Sequence, residues 1–142
     1  MPEEILLAED NPADVYLIRR ALREHGVDHT VRVSSDGKDT LQVLSREGAY
    51  AERQPVALII LDLNLPRHDG IEILERLRAT EEFDQVPVVV LTSSDSPRDR
   101  QSANRLGATL YIRKPTSLEQ FLALGQLFKG LLERPAVKSQ GC

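Results

Sequence analysis

Short apolar runs alternate with amphipathic stretches along this chain. Ile5-Leu6-Leu7-Ala8 is the first run, and Val31-Arg32-Val33 the second. The arginine inside the second run predicts an edge strand. Ala57 to Leu61 forms the third run, Val86 to Leu91 the fourth and Thr109 to Ile112 the fifth. Such nearly continuous runs predict strands covered on both faces, as in a parallel sheet.

Helix signals fill the intervals. Asn11-Pro12 reads as an N-cap followed by proline in the first turn, and Val15, Ile18 and Leu22 then share a face up to Gly26. A second helix carries Leu41 and Leu44, with Gly48 near its end. A third starts near Asp69-Gly70 and places Ile71, Leu74, Leu77 and Arg78 at helical spacing. Ser96-Pro97 opens a fourth, which Gly107 ends. Thr116 and Glu119 predict a capping box for the fifth. Strand then helix, five times over, predicts an α/β fold with a doubly wound five-stranded parallel sheet. Ligands bind such sheets beyond the carboxyl ends of the strands.

The fifth helix is more apolar than one sheet face requires. Its leucines and phenylalanines, from Leu118 to Leu132, cover an arc of roughly 220° at 3.6 residues per turn. A helix covering one side of a sheet needs a stripe nearer about 100°. The surplus around Leu124, Leu127 and Leu131 reads either as a few harmless exposed leucines or as a second buried face in a symmetric homodimer.

Composition narrows the classes. The 142 residues suit one domain, expected over 1–133, with a short disordered tail at 134–142. A formal net charge of -4 argues against a nucleic-acid binder. Cys142 is the single cysteine, so no intramolecular disulfide and no thiolate metal site can form. The acidic start and the lack of an apolar run of about 20 residues point to a cytoplasmic protein with no membrane span. His25, His29 and His68 show no metal-ligand spacing and read as surface residues, and His68, near the site in sequence, is a candidate kinase contact.

The candidate chemistry sits where apolar runs stop. The first strand runs into Glu9-Asp10, the third into Asp62, the fourth into Thr92 and the fifth into Lys114-Pro115. Taken singly, each has a bland explanation. Glu9 and Asp10 can favour a helix start, Asp62 can sit in the turn before Pro66, Thr92 can be a loop residue and Lys114 a solvated one. Tyr111 near the end of the fifth strand can be ordinary packing. Together, the fold brings the strand-end residues to one edge of the sheet. Three neighbouring carboxylates repel unless a cation joins them, and a few hard oxygen ligands suit Mg2+. A carboxylate there can act as nucleophile and form an aspartyl phosphate. Lys114 would neutralise phosphoryl oxygens and the Thr92 hydroxyl would hydrogen-bond another.

The segments Leu6-Leu7-Ala8-Glu9-Asp10-Asn11, Ile60-Leu61-Asp62-Leu63-Asn64-Leu65-Pro66 with Asp69-Gly70, Val90-Leu91-Thr92-Ser93 and Tyr111-Ile112-Arg113-Lys114-Pro115 resemble the response-regulator receiver family. The intervals from Asp62 to Thr92 and to Lys114 fit as well. The resemblance implies a flavodoxin-like (βα)5 fold in a stand-alone regulator of a two-component phosphorelay. It implies that Asp62 accepts a phosphoryl group from a histidine kinase. It further implies Mg2+ held by Asp10, Asp62 and the Asn64 carbonyl, with Glu9 acting through water. Thr92 and Tyr111 become a switch pair, and the Lys114–Pro115 bond is expected to be cis. The stretches Asp10 to Ile18, Leu63 to Gly70 and Leu91 to Ser96 resemble regulators that partner phytochrome-type kinases, which implies a homodimer through the fourth helix, fifth strand and fifth helix. The protein is then a signalling phosphoacceptor rather than an enzyme.

Two rivals make different demands. A haloacid-dehalogenase type phosphatase resembles Asp-x-Asp after its strand, but here the second position is Asn64, which cannot act as acid or base. A receiver-like interaction module that has lost phosphorylation would lack an acid, the Asp or the Lys, and all are present.

Overall fold

The computed structural model describes residues 3–46, 51, 53–67 and 69–133. Its elements are β1 Glu4–Ala8, α1 Pro12–Glu24, β2 Thr30–Ser34, α2 Gly37–Leu44, β3 Val56–Leu61, α3 Gly70–Arg78, β4 Val88–Thr92, α4 Pro97–Arg105, β5 Leu110–Arg113 and α5 Leu118–Leu132. A 3-10 turn, Glu81–Phe83, leads towards β4. The strands form one parallel sheet in the order β2-β1-β3-β4-β5. This is the doubly wound flavodoxin-like arrangement. The order reverses direction between β1 and β3, the place where such sheets open a crevice. Among the described residues no helix is long and apolar enough to cross a membrane.

The apolar runs hide a two-residue alternation. Leu6, Ile59, Leu61, Val88 and Val90 face one core with Ile73, Leu74 and Phe83. Ile5, Leu7, Leu58, Ile60, Val89 and Leu91 face the other with Ile18, Leu22, Phe121 and Phe128. Both faces are therefore dry, which is why the central strands read as unbroken hydrophobic runs. As expected, β2 is an edge strand. Its Arg32 reaches back to the buried Glu4 carboxylate of β1 at 2.8 and 3.0 Å.

Helix ends follow their caps. The Asn11 side chain accepts from the N–H of Ala13 (2.9 Å) and of Asp14 (3.4 Å), and the chain leaves α1 through Gly26 at φ 78°. Asp69 caps α3 and Ser96 caps α4. The cap of α5 is Ser117, whose Oγ accepts from Gln120 N at 3.0 Å, and not Thr116. Thr116/Glu119 and Ser117/Gln120 both satisfy the capping pattern, so the sequence could not choose between them. The end of α2 lies at Leu44, and Gly48 falls outside the described residues, as do His68 and 134–142. The last carbonyls of α2 are satisfied from a distance. Buried Arg53 donates to Val43 O (2.6 Å) and Leu44 O (3.1 Å) while its guanidinium lies 5.3 Å from the Phe83 ring centre.

Arg78 performs a similar task at the opposite end of the sheet from the candidate chemistry. Its guanidinium donates to Phe83 O, Val86 O and twice to Gly107 O, at 2.8 to 3.1 Å. It thereby fixes the approach to β4 and the exit of α4 to one point.

On α5, Phe121, Gly125 and Phe128 are buried. Leu124, Leu127 and Leu131 are half-buried and packed against the α1 side of the core. That accounts for much of the wide apolar arc, because α5 shares a face with α1 as well as with the sheet. Leu118 remains 52% exposed.

Candidate functional site

Four strands deliver functional groups at their carboxyl ends: Glu9 and Asp10 after β1, Asp62 after β3, Thr92 at the end of β4 and Lys114 after β5. Asp62 follows β3, and its backbone N–H donates to Ala8 O of β1 at 3.0 Å, which fixes the carboxylate at the switch point. The start of α3 presses on this turn. A Cβ added at Gly70 would lie 2.5 Å from Leu63 Cα and 3.0 Å from Asp62 O, so glycine is what allows α3 to abut the backbone there. Asp62 is 5% exposed and Thr92 fully buried.

Asp62 Oδ1 accepts the Asn64 N–H at 3.0 Å, and Oδ2 accepts from Lys114 Nζ at 2.9 Å. Lys114 Nζ also meets Glu9 Oε1 at 2.9 Å and Asp14 Oδ2 at 2.7 Å. The Lys114 backbone is held by its own N–H donating to Thr92 O at 2.8 Å. Oxygens of Glu9, Asp10 and Asp62 lie within 4.8 Å of one another, with Asp10 at the exposed mouth. An all-carboxylate donor set of this compactness fits a hard divalent cation. Thr92 Oγ1 accepts from Asn64 Nδ2 (3.3 Å) and from Ser94 N (3.4 Å).

The charges are unequal partners. Burial pushes Asp62 up, but the Asn64 amide and Lys114 outweigh it and hold its carboxyl below the usual range. Burial, with the Asp62 charge beside it, pushes Glu9 up to about 7 despite Lys114 and the Asn11 amide. Burial also works against the Lys114 charge, yet the bonds to Asp14, Asp62 and Glu9 keep it above the ordinary lysine value. One ammonium serves three acids, and Glu9, the most buried of them, is the one whose proton affinity is raised.

A stability profile follows. Folded Glu9 ionises near 7 and its ordinary value is 4.5. A carboxyl raised on folding lends stability that is complete below the unfolded value and lost as pH rises through the folded one. Metal-free protein should therefore lose about 2–3 kcal/mol between about pH 5 and pH 8 through Glu9. Chemical denaturation should show this slope in the wild type, a flatter profile in Glu9→Gln, and a flatter wild-type profile when divalent cation is added. Parallel losses in both proteins would contradict it.

Tyr111, expected to pair with Thr92, stands one residue removed from it. Its OH donates to Ser94 O at 3.1 Å, so the Ser94 backbone joins Thr92 on one side and Tyr111 on the other. Ser94 Oγ donates to Asp99 at 2.7 Å, and the Arg100 guanidinium lies 4.4 Å from the centre of the Tyr111 ring. Asp14, Ser94, Asp99 and Arg100 were not singled out by the sequence reading. The signal for Asp14 was its place in the first turn of α1, just after Asp10, where helix geometry returns it to the strand ends.

Two expectations are corrected. The described residues contain no cis peptide, so the Lys114–Pro115 bond is trans. A prolyl amide still intrinsically favours trans by about 0.5–1 kcal/mol, and Lys114 reaches all its partners from that isomer. His25 and His29 are half-buried rather than surface residues, and His25 Nδ1 lies 2.9 Å from Ala21 O inside the α1–α5 contact.

The fold that carries this site is matched by known proteins. The model of the response regulator receiver domain matches residues 5–125, and the chain belongs to that family, whose members act in two-component signalling. The response regulator Rcp1 of Synechocystis sp. is 34% identical over 125 residues, covering 88% of this chain and 85% of Rcp1. The crystal structure of the phosphorylated cyanobacterial phytochrome response regulator RcpA superposes with a TM-score of 0.89 at 34% identity, covering 98% of this chain and 100% of that one. The Mn2+-bound form of Rcp1 gives a TM-score of 0.87 at 32% identity, over 97% of this chain and 100% of that one. Two other curated relatives are longer, and the chain spans about half their length, 48% and 46%.

Proposed function

We propose that this receiver domain, residues 1–133, takes a phosphoryl group on Asp62 from the phosphohistidine of a sensor kinase and answers by changing its protein contacts. The observation that carries the reading is the single lysine, Lys114, bonded to Asp62 at the switch point with Glu9 and Asp10 alongside. A carboxylate oxygen of Asp62 attacks phosphorus, the P–N bond breaks, and the imidazole leaves and takes up a proton. Mg2+ held by Glu9, Asp10, Asp62 and the Asn64 carbonyl would offset the carboxylate charge and bind phosphoryl oxygens. Lys114 meets a second phosphoryl oxygen, and the Thr92 hydroxyl meets a third. Movement of Thr92 pulls on the Ser94 backbone, which Tyr111 holds from the other side, so the signal passes to α4, β5 and α5.

Similarity to Rcp1 and to phytochrome-linked RcpA supports a phytochrome-type histidine kinase as donor, acting in the cytoplasm. The α4–β5–α5 face, with edge strand β5 and exposed Leu118, is the proposed homodimer surface. Sedimentation of the protein with and without beryllofluoride tests it, and a monomer under both conditions at high concentration would overturn it.

The principal test is incubation with acetyl phosphate and Mg2+. One hydroxylamine-labile phosphoryl group per chain is expected, and none when Mg2+ is chelated. Failure to label would favour the interaction-module reading. Sustained turnover of small phosphomonoesters would favour a phosphatase.

A further inference from the structure

The Lys114 ammonium has three N–H donors, and three carboxylates lie within bonding distance: Asp14 at 2.7 Å, Glu9 at 2.9 Å and Asp62 at 2.9 Å. Glu9 and Asp62 belong to the strand-end cluster. Asp14 comes instead from the first turn of α1, whose position is fixed by the Asn11 cap on the Asp14 N–H. It makes the shortest of the three contacts, and its side chain is 18% exposed against 2% for Glu9 and 5% for Asp62.

On the reading of Asp62 as phosphoacceptor, Lys114 must turn an N–H towards a phosphoryl oxygen. With its donors engaged, an existing bond has to be given up. Glu9 is the most buried partner, so water reaches it least when a bond is given up. Asp62 is the group being modified. Asp14 is the most exposed of the three and is the one most easily rehydrated when released. It also adds negative charge beside a site that must admit an anion.

We propose that Asp14 is a positioning residue that withholds Lys114 from the phosphoryl group, and so limits both the rate of phosphorylation and the hold on the phosphoryl group. Releasing Asp14 accompanies each phosphorylation, and re-forming the bond accompanies each loss of phosphate. The residue does not touch the reacting atoms. It acts through Lys114.

Asp14→Asn preserves the size of the side chain and removes its charge. Asp14→Ala removes the group in a residue that favours the helix. Both variants, Asp14→Glu, the wild type and an Asp62→Asn blank would be compared in Mg2+-dependent labelling at sub-saturating acetyl phosphate. Beryllofluoride affinity would be followed by amide shifts. Labelling should be about fivefold faster in Asp14→Asn and Asp14→Ala, the size expected for one partly exposed ion pair, with beryllofluoride bound correspondingly tighter. Asp14→Glu should return towards the wild type because it restores the charge. A merely structural Asp14 would give slower labelling and weaker beryllofluoride binding, and either that result or unchanged variants overturns the proposal. A wild type that does not label at all removes the phosphoacceptor reading, and this inference with it. A labelled wild type with unaltered variants removes this inference alone.

Discussion

Asp62→Asn is expected to abolish labelling by acetyl phosphate and by any kinase while leaving a folded protein. The substitution exchanges a nucleophilic carboxylate for an amide that does not attack phosphorus at neutral pH. The local structure can accept it. The amide oxygen still receives the Asn64 N–H, and Lys114 keeps Glu9 and Asp14 as anionic partners. Stability should therefore move by no more than about 1 kcal/mol, because loss of the Lys114 contact is offset by relief of repulsion with Glu9. Intact mass and a thermal melt read the two consequences separately. The alternative acceptors are the neighbouring acids Glu9, Asp10 and Asp14. Stoichiometric phosphate on any of them in the variant would show that the carboxylate at the end of β3 has been given the wrong role.

Gly125→Ala should destabilise the fold by about 2 kcal/mol, lowering Tm by about 6 °C. α1 and α5 cross with their backbones close together at this point. A Cβ at Gly125 would overlap the Ala21 carbonyl and His25 Nδ1 on α1. The carbonyl belongs to a helix backbone and cannot swing aside, so the two helices must separate along a face that buries Ile18, Leu22, Phe121 and Phe128. Alanine is the better helix former by about 1 kcal/mol, and the overlap must overcome that gain. Gly130→Ala supplies the control, because a Cβ there meets nothing within 4 Å. It should stabilise by about 0.5–1 kcal/mol. Equal and positive shifts from both substitutions would mean that α5 does not depend on a close crossing at Gly125.

The contrast between these helices and the strands explains what could be read in advance. Strand identity was legible because both faces of the sheet are dry, so β1, β3 and β4 appear as apolar runs without any polar interruption. Their ends were less legible. The fourth run begins at Val86, yet β4 begins at Val88. The Val86 carbonyl is taken by Arg78, Pro87 has no N–H to offer, and only the Pro87 carbonyl joins the ladder, to Ile59 N at 3.0 Å. The Thr109 hydroxyl oxygen likewise accepts the Val88 N–H at 3.0 Å, before β5 begins at Leu110. At the site, Glu9, Asp10, Asp62 and Lys114 were legible because an acid or a lysine directly after an apolar strand has no packing reason to be there, and Thr92 because it closes the fourth apolar run with a hydroxyl. Asp14 was hidden because an acid in a first helical turn already has a sufficient explanation in the helix dipole. The Ser94–Asp99 and Arg100–Tyr111 contacts join a loop, a helix and a strand, and no local pattern encodes such meetings.

The Arg78 anchor gives α4 the mechanics of a pivoted lever. One end of this helix, at Gly107, is tied through the guanidinium to the approach of β4. The other end, at Ser96, hangs from the loop that follows Thr92 and carries Ser94. On the proposed switch, a pull originating at Thr92 would be converted into rotation about this tie. Displacement should grow steadily from Arg105 to Pro97, so that the outer surface of α4 tilts. Severing the tie with Arg78→Ala would turn this tilt into a slide of the whole helix, with less leverage on whatever is bound to its face.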